Sequence, residues 1–266
     1  MASFYKSAAA VCLVALYGLQ SEASGTTITY KFNPVVVDDA CYLAANFARN
    51  GKLPVHISAV EKDIDIVSAL TDKVQTHTTE KVEDAVSDAT CSALMEAAKL
   101  KDIFHYTFEY TDNAAENSLN YRELLQKALD AGLKVFTKTE YQSQWETIWA
   151  DDAGGSLAHL LGANSTTIGC VIGQCTTKSS AGGGGRTLTA SPTGKAVLFC
   201  ELKPAADKGK APFDDEYFKG LVERTAKLTE MAEEDLKAPT NDGIAVPALS
   251  TILAAGLVAM LAVVSA

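Results

Sequence analysis

The stretch that most constrains this chain runs from Ala163 to Cys175, ANSTTIGCVIGQC, and has an echo at Ala196 to Pro204, AVLFCELKP. Both runs are rich in β-branched and aromatic residues and are bounded by Gly, Ser and Pro, which is how strands are punctuated. Successive strand side chains point to opposite faces, so the odd separation of Cys170 and Cys175 sends their sulfurs to opposite sides of a sheet. A bond between the two would require a bulge. Each therefore needs its own partner, one on the next strand and one on a covering helix. A sheet stapled to its covering layers is expected.

The two ends read differently from the middle. The opening MASFYKSAAAVCLVALYGLQSEASG has one early Lys6, an apolar run from Ala8 to Leu19, and small residues at Ser21 and Ala23. That is the anatomy of a secretory signal peptide over residues 1–23, and Cys12 would leave with it. The closing ALSTILAAGLVAMLAVVSA, from Ala248, carries no charge and no basic flank, unlike a spanning helix. Small residues lie just upstream, from Ala238 to Gly243. The arrangement reads as a GPI-anchor signal over residues 242–266, with attachment at Asn241 and no transmembrane helix in the mature chain.

Residues 24–241 are enough for one ectodomain with its own core. A net charge of −10 makes neither nucleic acid nor an anionic membrane surface a natural partner. Within this span lie Cys41, Cys91, Cys170, Cys175 and Cys200, in a compartment where bridges persist. The count is odd, so two disulfides with one leftover thiol, or an intermolecular bond, are the arithmetic options.

Along the chain, Ser24 to Phe32 reads as an edge segment or extended lead-in. Helices are expected over Val37 to Gly51, with Asp38 and Asp39 in the first turn, and over Lys81 to Leu100, with Cys91 in its middle. Ile103 to Thr111 alternates as a strand, while Val55 to Val67 is ambiguous. Asn120 opens a third helix with Glu123 three positions on, Gly132 closes it, and LKVFTKT follows as a strand. Asp214 or Asp215 starts a last helix reaching about Leu236. Helices and strands interleave irregularly around an antiparallel hairpin, which indicates α/β or α+β with helices covering a sheet.

The run NSTTIGCVIGQC, followed by VLFCELKP, resembles the late strands of the CAP superfamily of cysteine-rich secretory and pathogenesis-related proteins. The full layout, with CYLAANFARNG, NYRELLQKALDAGLKVF, the paired Trp145 and Trp149, and EYFKGLVERTAKLTEMAEEDLK, is most similar to the SAG surface antigens of Eimeria. The resemblance implies a three-layer α-β-α sandwich with a mainly antiparallel central sheet. It also implies a Cys170–Cys200 bridge, with Cys175 reaching a helix cysteine. Cys41–Cys91, tying helix to helix, is the competing pair and would leave Cys175 free.

Chemistry is weakly signalled. Aligned on Gly169-Cys170, Ser156 stands where many CAP proteins place a metal-binding His, and His159 falls at a family Gln. Glu116-Asn117 lacks the preceding Gly of the family's Gly-Glu-Asn motif, and His56, His77 and His105 have no ligand spacing. No metal, cofactor or catalytic residue is expected. Ser156, His159 and Asp151 or Asp152 lack a Gly-x-Ser-x-Gly elbow, and Gly182–Gly185 with Arg186 is a hairpin loop rather than a phosphate loop. Trp145 and Trp149 read as core, and Glu233-Glu234-Asp235 as a solvated face. Asn164-Ser165-Thr166 is a lone glycosylation sequon.

The expected function is that of a non-catalytic, GPI-anchored surface antigen that meets host cells or host immune components. The alternative is an extracellular binder of a sterol or fatty acid, with a metal-dependent hydrolase third. The sequence sets no oligomeric state and names no host ligand.

Overall fold

The computed structural model describes residues 27–76, 78–81, 88–110, 119–138, 144–180 and 191–238. The expected signal peptide, the anchor signal with Asn241, and Cys12, His77, Glu116, Asn117 and the Gly182–Gly185 loop with Arg186 lie outside these residues.

The organising stretch forms the two central strands. β5 (Thr167–Ser180) and β6 (Ser191–Lys203) pair antiparallel. β1 (Thr27–Val36) lies on the far side of β5, and β3 (Thr78–Lys81) lies beyond β1. β4 (Phe104–Glu109) closes the other edge against β6, giving the order β3-β1-β5-β6-β4. A two-residue strand, β2 (Glu61–Lys62), adds a short parallel pairing to β5. The fold is thus mixed α+β, with a mainly antiparallel sheet packed against helices. The amino-terminal segment, expected at an edge or as a lead-in, is instead an interior strand. Tyr30 and Phe32 explain this, since both are fully buried under one covering layer.

Strand alternation splits the molecule into two cores. On one face, Ile168, Cys170 and Ile172 of β5 meet Ala196, Leu198, Cys200 and Leu202 of β6. Over them lie α1 (Asp39–Asn50), α4 (Tyr121–Lys138), α5 (Trp145–Ala150), α6 (Asp152–Leu160) and α7 (Asp215–Glu223). On the other face, Val171, Cys175, Val197 and Phe199 join Tyr30 and Phe32 beneath α2 (Ile64–Gln75) and α3 (Asp88–Ala97). Gly169 and Gly173 also point to this second face. A Cβ on Gly169 would come within 2.6 Å of Ile66 Cγ2, and one on Gly173 within 2.9 Å of Phe199. These glycines let α2 and the aromatic pair Phe32–Phe199 settle directly onto the strand.

The cysteines follow the two faces. Cys170 bonds Cys200 directly across the β5–β6 ladder, with Cα atoms 4.1 Å apart. Cys175 bonds Cys91 of α3, fastening the second layer to the sheet. Cys41, considered above as a bridge partner of Cys91, is a free and fully buried thiol on α1. Helix α1 and helix α3 cover opposite faces, so the Cys41–Cys91 alternative has a sheet standing between its sulfurs.

The helix expected over Lys81 to Leu100 is α3 over Asp88–Ala97, with Lys81 in β3 and Leu100 in a 3₁₀ turn, and two further helix boundaries depart from expectation. α4 continues to Lys138 rather than ending at Gly132, so LKVFTKT is not a strand. Gly132 serves a close approach: a Cβ there would lie 2.5 Å from Leu157 Cβ and Cδ2 on α6. Four residues beyond, Phe136 is fully buried and meets Trp145 edge-on at 5.7 Å, which holds the helix through the glycine. The last helix stops at Glu223, short of Leu236. Arg224 ends it by turning its guanidinium to the carbonyls of Phe47 and Gly51, both at 3.0 Å, and of Ala48 at 3.2 Å. These carbonyls lie in the last turn of α1 and at its cap, where helix carbonyls run short of amide donors; Phe47 O also accepts from the Gly51 amide at 2.9 Å. Beyond Arg224 the chain makes short 3₁₀ turns at Leu228–Glu230 and Glu233–Leu236. Glu233 and Glu234 are exposed, as a solvated run requires, but Asp235 is tied down by Lys52 at 3.6 Å.

Candidate functional site

A cleft of about 510 Å³ opens where α5 and α6 meet the start of β4. Its side chains arrive from a tightly set local structure. Asp151 caps α6, its Oδ1 accepting from the amides of Ala153 and Gly154 at 2.9 Å each. That cap fixes the helix start so that Asp152, Ser156 and His159 follow along it beside the cleft. His105 comes from β4, Lys101 and Asp102 from the 3₁₀ turn before it, and Lys208 from the loop after β6.

Ser156 is not a nucleophile here. Its hydroxyl donates to the His105 carbonyl at 2.6 Å and accepts from the His105 amide at 2.9 Å. Both roles of the hydroxyl are spent bridging α6 to the edge strand. The Ser156–His159–Asp set therefore has no activated oxygen, and the structure brings the three together only as neighbours along one helix.

His105 is buried, and its Nδ1 lies 2.9 Å from the Ile103 carbonyl. A carbonyl can only accept, so Nδ1 carries the proton there. Nε2 faces Asp152 Oδ1 at 3.4 Å without a hydrogen bond. Asp152 is shared with Lys101 at 3.5 Å, and Lys101 also reaches Glu96 at 3.2 Å. Lys208 pairs with Asp102 at 3.1 Å, and that hydrogen bond holds the Asp102 carboxyl below its usual range. His159 packs edge-on against Trp149 at 4.8 Å. Burial, reinforced by the neighbouring His105, pulls its pKa down to about 4.

The two tryptophans divide. Trp145 belongs to an aromatic cluster with Phe136 and Phe213, at 5.7 and 5.6 Å. Trp149 borders the cleft, but its indole N–H donates to the Lys210 carbonyl at 2.8 Å and the residue is 5 % exposed. The cleft therefore sets the charged side chains of Lys101, Asp102, Asp152 and Lys208 beside apolar lining from Trp149, Ala150 and Gly155.

Sequence reasoning passed over Arg49. It is fully buried, and its guanidinium donates to the carbonyls of Leu160, Ser58, Gly162 and Ser165 at 2.5, 2.7, 2.9 and 3.2 Å. It thereby ties α1 to the end of α6 and to the chain entering β5. Burial pulls its pKa down to about 10. The signal was present in the sequence: Arg49 falls eight after Cys41 and four after Ala45, on the buried stripe of α1.

Among the described residues, the sulfurs of Cys41, Cys170 and Cys200 form the one trio of candidate ligand atoms within 4.8 Å of one another, and two of them are already bonded together. His56 lies apart in the loop after α1, half-buried with Nε2 unpartnered. In the turn before β5 Asn164 and Thr166 of the sequon are exposed, while Ser165 between them is buried. No helix among the described residues is long and apolar enough to cross a membrane.

No protein-family model and no curated protein matches the chain. Among solved structures it is similar to the crystal structure of the Eimeria tenella surface antigen protein SAG19. The TM-score is 0.40 at 16% identity, over 72% of this chain and 97% of that one. At these values the likeness carries no function across.

Proposed function

We propose that this chain is a non-catalytic surface antigen, held to the outer leaflet by a lipid anchor at Asn241 and displayed toward host cells or host immune components. The observation that carries the reading is the pair of disulfides, one on each face of the sheet. Such bridges persist in oxidising compartments, which fits export through a signal peptide over residues 1–23. The apolar, uncharged last residues from Ala248 supply the anchoring half. The occupied hydroxyl of Ser156 supports the non-catalytic half. Glycosylation at the exposed Asn164 belongs to the same reading. The test is treatment of intact cells with a phosphatidylinositol-specific phospholipase. Release of the protein, lacking residues 242–266, is the expected result; a retained, intact tail with no release overturns the anchor.

A further inference from the structure

We infer that Cys41, Cys170 and Cys200 form a three-sulfur exchange centre, in which the disulfide of the first core migrates between the β5–β6 ladder and helix α1. The three Sγ atoms lie within 4.8 Å of one another and all three residues are fully buried. Cys170 and Cys200 are directly opposed on adjacent strands, and Cys41 sits above them on the helix that covers that face. The Tyr42 hydroxyl stands 3.5 Å from the Cys170 amide, which places α1 directly over the bond. A free thiol beside a disulfide is the reactant pair of thiol–disulfide exchange.

The step is balanced without an external oxidant. Cys41 gives up its proton, and its thiolate attacks one sulfur of the Cys170–Cys200 bond. A new bond forms to that sulfur as the old one breaks, and the electron pair leaves on the other sulfur, which takes up a proton. One disulfide and one thiol are present before and after. Attack on Cys200 frees Cys170, and attack on Cys170 frees Cys200. Either product ties α1 covalently to the sheet and closes a much longer loop than the original bridge.

The closed fold holds this exchange in check. Burial, with Asp38 adding to it, pushes the Cys41 thiol far above its ordinary pKa, so the nucleophilic thiolate is scarce while α1 stays docked. Exchange therefore follows opening of α1. Cys91–Cys175 lies under α3 on the opposite face and is a built-in control.

The test is a time course on the full oxidised chain, without added redox reagent, in native buffer and in sub-denaturing guanidinium at mildly alkaline pH. Acid quench, alkylation and non-reducing peptide mapping read out the linkages. Peptides joining Cys41 to Cys170 or Cys200 are expected to accumulate in guanidinium at a rate independent of protein concentration. In native buffer they should form more slowly, in proportion to the smaller open population, while Cys91–Cys175 stays unchanged. Alkylation of Cys41 with Cys170–Cys200 intact throughout overturns the proposal, as does a linkage that appears only between chains. Cys170→Ser and Cys200→Ser chains, exported through an oxidising compartment, provide the second reading. Each should carry Cys41 bonded to the remaining partner, and two alkylatable thiols in the folded variant would overturn the inference. Should either variant fail to fold, the wild-type time course decides alone.

Discussion

Arg49 is a cation enclosed by neutral carbonyl oxygens rather than paired with a carboxylate, and that choice has energetic consequences. The carbonyls of Leu160, Ser58, Gly162 and Ser165 all accept from it, and of these Gly162 O also takes the Ser165 amide at 3.1 Å. Removing the guanidinium leaves buried acceptors without partners in three segments at once. Arg49→Ala should destabilise the domain by about 3–5 kcal/mol, read as a lower denaturant midpoint. His159 acts through protons instead. In the folded chain it takes up a proton only near about pH 4, whereas its ordinary pKa is 6.5. Between those values the unfolded chain holds more protons, so stability rises with pH across the window and is complete above it. Acidification from neutral pH to 4 should remove about 3 kcal/mol through this group. Denaturation curves at both ends of the window, with His159→Gln as the flattened comparison, measure the effect.

At the scale of elements, glycine position decides more than glycine identity. Gly132 looked like a helix stop, yet its missing Cβ is what allows α4 to touch α6 at Leu157. Gly132→Ala should therefore weaken the domain by about 1–3 kcal/mol, although alanine is the better helix former. Trimming the facing side chain in a Gly132→Ala, Leu157→Ala double variant should recover part of the alanine penalty relative to Leu157→Ala alone. A thermodynamic cycle measures that coupling. If Gly132→Ala stabilised the protein instead, the close α4–α6 contact would be wrong. The same logic governs Gly169, where α2 lies against β5. The early end of α7 has a different cause: Arg224 is more useful capping α1 than extending its own helix.

At the scale of the molecule, two cores share one sheet, and each is stapled once. The Cys91–Cys175 bridge spans 84 residues and should contribute about 4.5 kcal/mol by the chain-entropy estimate. A Cys91→Ala, Cys175→Ala variant should lose that amount, and α3 should be the first element to gain hydrogen-exchange exposure. The sequence by itself determined the two-faced central strands. Cys170 and Cys175 differ in parity and a strand has a period of two, so their sulfurs take opposite sides, and the irregularity in the β5–β6 pairing between Gln174 and Thr176 leaves that division standing. It also placed β4, began α1 at Val37, close to its observed start at Asp39, and narrowed the opening of α7 to Asp214 or Asp215, because alternation and acidic first turns are local signals. Tertiary structure alone decided which cysteine stayed free, where α4 ended, and that the amino-terminal strand is interior. Each of those depends on what stands opposite a residue, and the facing partner is many residues away in the chain. The cleft was half-legible for the same reason. His159, Ser156 and Asp152 lie close together in sequence, but the spent hydroxyl of Ser156 became visible only once β4 was laid beside α6.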